Sequence, residues 1–193
     1  AYWTKSGASV VSGFTSPSGG LNAFKLVEDT STGEHRVKAI GVSLVADRYS
    51  FSVFVKPNGR NQIRISGANY FSGGTDAYFN LDTKVITYGT RATNGLIETF
   101  SNGWYRCSFS STSGEVAGGN AFMYIDTALN GSASYTGDGT SGVYIYGAQL
   151  EQSSYATSYI PTSGASATRN QELCTDATPV INSEEGTLYF EGS

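Results

Sequence analysis

Residues 49–56, YSFSVFVK, alternate large apolar side chains with small or polar ones almost without a break. Such a period separates the two kinds only in an extended chain, because successive side chains of a strand point to opposite faces. Tyr49, Phe51, Val53 and Val55 are the expected core face, and Ser50, Ser52, Phe54 and Lys56 the outer one. By the same parity Ile63, Ile65, Tyr105, Cys107 and Phe109 point inward. That leaves Gln62, Arg64, Ser66, Trp104, Arg106 and Ser108 facing out.

Comparable runs recur along the chain, at 23–28, 35–40, 49–56, 62–66, 77–81, 84–88, 96–100, 104–110, 121–126 and 142–150. Between them stand Pro57-Asn58-Gly59, Asn102-Gly103, Asn130-Gly131 and Gly137-Asp138-Gly139, which supply the positive-φ residues of tight reversals. No amphipathic helix of useful length competes. The expected fold is all-β, a two-sheet antiparallel β-sandwich over residues 1–160, and 193 residues suffice for one such core. Residues 161–193 read as a polar linker. The alternation that resumes at 185–191 (EGTLYFE) is either the sandwich's last strand or, as favoured here, the first strand of a following module.

Twelve Lys and Arg against sixteen Asp and Glu give a net charge of −4 with no basic run, so nucleic acid is not an expected partner. No segment reaches the roughly 18 apolar residues that a membrane-spanning helix needs, so no membrane insertion is expected. The N-terminus, AYWTKSG, lacks the regions of a signal peptide, and without an initiator Met the chain reads as a fragment or processed form. Cys107 lies in an apparent strand and Cys174 in the polar tail, and two such cysteines read as free thiols.

Residues 135–170, YTGDGTSGVYIYGAQLEQSSYATSYIPTSGASATRN, resemble a recurrent pattern of phage tail-fibre, tailspike and head-spike proteins. Residues 22–28 (NAFKLVE), 49–57 (YSFSVFVKP) and 103–109 (GWYRCSF) match that pattern in order, so the likeness spans most of residues 1–170. The module is similar to jelly-roll carbohydrate-binding modules that accompany polysaccharide-degrading enzymes. The resemblance implies a virion or extracellular protein, trimeric where its parent is a fibre, whose partner is a polysaccharide or cell-surface glycan. This chain has Tyr146 where many members carry Trp. Related sandwiches often hold a structural calcium, but Asp126 and Asp138 form no recognisable oxygen-ligand loop, so no metal ligands are assigned and no other cofactor is expected.

Sugars need an aromatic face for their C–H side and polar side chains for their hydroxyls. Among the outward residues, Trp104 offers a platform, and Arg64, Arg106 and Lys56 offer donors for hydroxyls or for an acidic group. Tyr124 and Asp126, outward on 121–126, extend the surface if these strands share a sheet. The alternative is an outward Trp104 packed on Arg106 under a loop, a structural cation–π pair in a spacer or assembly module of a fibre. Tyr144 and Tyr146 read as core, because Ala148 and Leu150 continue their parity. No catalytic residues are assigned. His35, the single histidine, sits among polar neighbours and reads as solvated. Asp76, Asp82, Glu98, Glu115 and Asp126 are the carboxylates from which a glycosidase or lyase site would have to be drawn, whereas Glu184 and Glu185 read as solvated linker charge.

Overall fold

The computed structural model describes residues 3–39, 42–68, 74–112, 119–162 and 167–168. The chain opens with β1 (Trp3–Ser6), β2 (Ala8–Phe14), β3 (Ala23–Glu28), β4 (Thr32–Glu34), β5 (Arg36–Ala39) and β6 (Val42–Leu44). It continues through β7 (Ser50–Asn58), β8 (Gln62–Ala68), β9 (Asp76–Asn80), β10 (Ile86–Tyr88) and β11 (Ala92–Thr99). A short 3-10 turn, Ser101–Gly103, leads to β12 (Tyr105–Ser111), β13 (Gly119–Ala128), β14 (Ser134–Thr136) and β15 (Gly142–Glu151). Each of the ten alternating runs contains a strand. β1, β2, β4, β6 and β14 are additional, being either very short or largely exposed.

Two antiparallel sheets form the sandwich. One follows the order β1-β5-β13-β8-β9-β10, with β6 also on β13, and the other the order β11-β12-β7-β15-β3-β2. β4 and β14 make a separate two-stranded ribbon. β1 and β2 are consecutive in the chain yet edge different sheets, so the turn at Gly7 carries the chain across; its φ of +58° is one that glycine adopts without strain.

The core between the sheets is the one that alternation predicts. Tyr49, Phe51, Val53, Val55, Ile63, Ile65, Cys107 and Phe109 are all buried there, and Phe51 stacks on Phe109 with centroids 4.7 Å apart. Burying each such side chain stabilises the fold by about 1.5–3 kcal/mol. Cys107 is a free thiol whose pKa burial pushes far up.

A second apolar cluster lies on the outer face of the six-stranded sheet. Ala23, Phe54 and Trp104 are buried there, and Phe14, Tyr144, Tyr146 and Tyr159 pack around them. This corrects the core reading of Tyr144 and Tyr146. In the β15–β7 ladder Tyr146 opposes Phe54 but Gln149 opposes Ser52, so one extra residue is accommodated as a bulge at Gly147, whose φ is +59°. The bulge reverses the parity: Ile145, Ala148 and Leu150 pack on the main core, and both tyrosines turn outward.

Residues 151–160 run back over this outer face. Ser153 Oγ hydrogen-bonds Ser50 Oγ at 3.0 Å, Ser110 Oγ donates to the Ser154 carbonyl at 2.7 Å, and Ile160 N donates to Gln149 Oε1 at 2.9 Å. Tyr159 meets Phe54 and Tyr146 edge-on, at 5.9 and 5.4 Å. Ser50, Ser52 and Ser110 are therefore buried although their parity is outward.

His35 is also corrected: it is buried, not solvated. Its Nδ1 hydrogen-bonds the Gly7 carbonyl, its Nε2 lies 3.2 Å from the Tyr135 carbonyl oxygen, and Asp29 Oδ1 is 3.4 Å away. Beside it Glu28, fully buried on β3, accepts from Arg60, from the Tyr135 hydroxyl and from the Asp138 backbone N–H. This polar knot ties the β4–β14 ribbon to the sandwich. The expectations for Glu115, Cys174, Glu184, Glu185 and the run 185–191 fall outside the described residues.

Candidate functional site

The six candidate binding residues do not form one surface. Arg64 on β8 and Tyr124 and Asp126 on β13 belong to the seven-stranded sheet, while Lys56 on β7 and Arg106 on β12 belong to the other, with Trp104 just ahead of β12 at the end of the 3-10 turn. Period-2 parity assigns a face to each residue, but sheet membership depends on long-range pairing that parity does not contain.

Trp104 is not displayed. Its relative exposure is 2%, because Phe54 and the aromatic cluster around it enclose the indole. Arg106, at 6%, donates to Ser52 Oγ at 3.1 Å and to the Thr157 carbonyl of the return segment. Its guanidinium stands 5.6 Å over the Phe54 ring, so it has a cation–π partner other than the expected indole. Lys56 is half-buried opposite Tyr144.

The outer face of the seven-stranded sheet is different in kind. Strand register lines up Ser6, Arg36, Asp126, Arg64, Tyr78 and Thr87 in one cross-strand row, and Thr4, Lys38, Tyr124, Ser66 and Asp76 in the next. With strands about 4.8 Å apart, a six-residue row spans roughly 24 Å. Parity points all these side chains away from the core.

Asp126 is the centre of the first row and is fully buried. Arg64 approaches its Oδ2 through both Nε and Nη2 at 3.1 Å, and Arg36 Nε lies 3.5 Å from its Oδ1. Glu34, reaching over from β4, accepts from Arg64 Nη2 at 2.7 Å and also pairs with Arg36. Burial pushes the Asp126 carboxyl above its ordinary range, against the pull of Arg64 and Arg36. For Arg64 burial acts downward, but Asp126 and Tyr78 outweigh it and the guanidinium ends above its usual value.

The same arginines hold two rings. Arg36 Cζ sits 4.6 Å from the Tyr124 centroid and Arg64 Cζ 5.9 Å from that of Tyr78. Tyr78, Tyr124 and Lys38 are half-buried, so their stems are packed while part of each surface stays open. Arg36, Lys38 and Arg64 are matched by Glu34, Asp76 and Asp126, and the face is electrically balanced. In the sequence Arg36, Lys38 and Tyr78 stand on the strand runs 35–40 and 77–81 with nothing further to mark them as site residues. Their outward parity was the available signal; their neighbours across the sheet were not.

Among the described carboxylates available for hydrolysis, two share this face and two stand elsewhere. Asp76 and Asp126 share this face, Asp82 accepts from Asn61 in a turn, and Glu98 stands on β11 of the opposite sheet. Among the described residues no group of three or more His, Cys, Asp or Glu side chains could hold a metal ion.

No protein-family model and no curated protein matches the chain. Among solved structures it is similar to the CBM22-2 xylan-binding domain of Paenibacillus barcinonensis Xyn10C, with a TM-score of 0.46, 16% identity, and 78% of this chain and 91% of that one covered. It is also similar to TmCBM61 in complex with beta-1,4-galactotriose, with a TM-score of 0.45, 14% identity and coverage of 78% and 88%. A third is the CBM22-1-GH10 portion of Clostridium thermocellum xylanase 10B, complexed with xylohexaose, at 0.44, 15%, 78% and 26%.

Proposed function

We propose that the chain is a non-catalytic polysaccharide-binding module whose ligand lies along the outer face of the seven-stranded sheet. The observation that carries this reading is the pair of cross-strand rows in which Tyr124 and Tyr78 are each backed by an arginine that is itself tied to Asp126. Two pre-oriented rings with donors and acceptors between them meet both halves of a pyranose, its C–H face and its hydroxyls. Charge balance favours a neutral glycan over a polyanion. A shallow face gives modest affinity for one copy, and display of several copies on a virion fibre or other extracellular protein would raise it by avidity.

Retention on a polysaccharide panel tests the reading. Wild type is expected to bind at least one neutral polysaccharide, with Tyr124→Ala and Tyr78→Ala each weakening it about tenfold, or roughly 1.4 kcal/mol. Equal retention of Tyr124→Ala and wild type, both folded, would sink the assignment.

The covering of Trp104 and Arg106 favours a second reading, a spacer or assembly module of a fibre. That reading predicts no retention on any polysaccharide, either by the isolated chain or by a multimer of it.

A further inference from the structure

The outer face of the six-stranded sheet is covered only in part. Between β11, which is that sheet's edge strand, and the return segment there remains a cleft of about 450 Å³, within the roughly 300–1,000 Å³ of small-molecule sites. We infer that this cleft is a second saccharide subsite, which takes the end of a neutral glycan in its pocket while the opposite sheet takes the length of one along its rows.

The walls combine what a terminal sugar needs. Tyr155 on the return segment and Leu96 on β11 are 66% and 51% exposed and present open apolar surface on opposite sides. The floor is polar: Arg106 is 94% buried beneath the cleft, and Ser108 beside it is buried as well. Register sets Glu98 directly across from Arg106, with Nη1 and Oε2 3.9 Å apart, and Leu96 directly across from Ser108. A cation and a carboxylate at that spacing offer a donor and an acceptor to vicinal hydroxyls, and their charges offset, which disfavours an ionic ligand.

The cleft is held in shape without a ligand. Arg106 donates to the Thr157 carbonyl, and Asn94 Nδ2 donates to the Ser154 carbonyl at 3.3 Å, so the return segment is fastened to β11 and β12 on both sides of the opening. A fixed wall reduces the ordering cost of binding. Walled by β11 and the return segment and limited to about 450 Å³, the cleft takes a short saccharide end, whereas the open rows of the other sheet impose no limit of length.

The inference takes its ligand class from the proposed function but shares no residue with it, so one experiment reads both. The intact chain is titrated with neutral di- and trisaccharides of glucose, xylose, galactose and mannose, followed by NMR at Leu96, Ser108 and Tyr155 for the cleft and at Tyr78 and Tyr124 for the sheet face. The expected result is a saturable shift at the cleft residues, weakened about tenfold by Tyr155→Ala and abolished by Leu96→Glu, both at exposed positions, with the Tyr124 response unchanged. A response at Tyr124 alone overturns the second subsite. A response at the cleft alone supports the subsite and removes the sheet-face reading. Silence at both overturns both readings, and a cleft response that Tyr155→Ala leaves intact overturns the subsite.

Discussion

Asp126 has no exposed surface, yet two guanidiniums converge on it, and its removal would leave both without their shared acceptor. Breaking a buried ion pair from one side costs about 3–5 kcal/mol, and Glu34 still serves both arginines, so Asp126→Ala is expected to cost roughly 2–3 kcal/mol. Urea midpoints at fixed m-value measure this; a change below about 0.5 kcal/mol would show that the carboxylate does not organise the face. Tyr135 provides a pH test. Burial, with the Tyr135 hydroxyl donating a hydrogen bond to the Glu28 carboxylate, raises the phenol from 10 to about 12. Folding therefore holds this proton more tightly than the unfolded chain does, so its stabilisation is complete below pH 10 and is lost as pH climbs toward 12. Thermal midpoints of wild type and Tyr135→Phe should differ by a constant below pH 10 and converge above it; parallel curves through pH 12 would refute the linkage.

Gly147 decides what β15 does with its side chains. A Cβ there would stand 3.0 Å from the Tyr159 ring and 3.3 Å from Phe54, at a backbone φ that L-residues reach only at about 1–2 kcal/mol. Gly147→Ala is expected to cost roughly 2 kcal/mol and to loosen the Tyr146–Tyr159 contact, visible as a drop in melting temperature and altered near-ultraviolet circular dichroism. An unchanged melting temperature would mean that the bulge relaxes freely. The same residue marks where alternation stops being readable. Phe51, Val53 and Val55 declare their face because each strand position moves the side chain by half a turn. A single inserted residue inverts everything after it, and Ala148 and Leu150 then mislead about Tyr144 and Tyr146. Trp104 illustrates a different gap: its outward parity is legible, but its cover is a cluster of rings drawn from β2, β7, β15 and the return segment, at positions 14, 54, 144, 146 and 159. β1 and β2 are not legible in the sequence because most of their residues are exposed and carry little apolar signal.

On the scale of the molecule, the two sheets share one core but treat their outer faces oppositely. The seven-stranded sheet shows solvent a grid of paired charges and tyrosines, and the six-stranded sheet buries serines and aromatics under the chain's own return. That return is as much part of the fold as a strand, since it hydrogen-bonds Ser50, Ser110 and Arg106. A chain ending at 162 is therefore expected to unfold cooperatively, with a melting temperature close to that of the full chain, whereas one ending at 150 should aggregate or lose its transition. Equal stability of the two would place the boundary before the return. β15 itself runs between β3 and β7, bonded along both edges. Tension applied to the chain beyond residue 160 would thus have to strip the return and then shear two ladders at once, so a neighbour tethered on that side pulls on the middle of the sheet and not on a loose border.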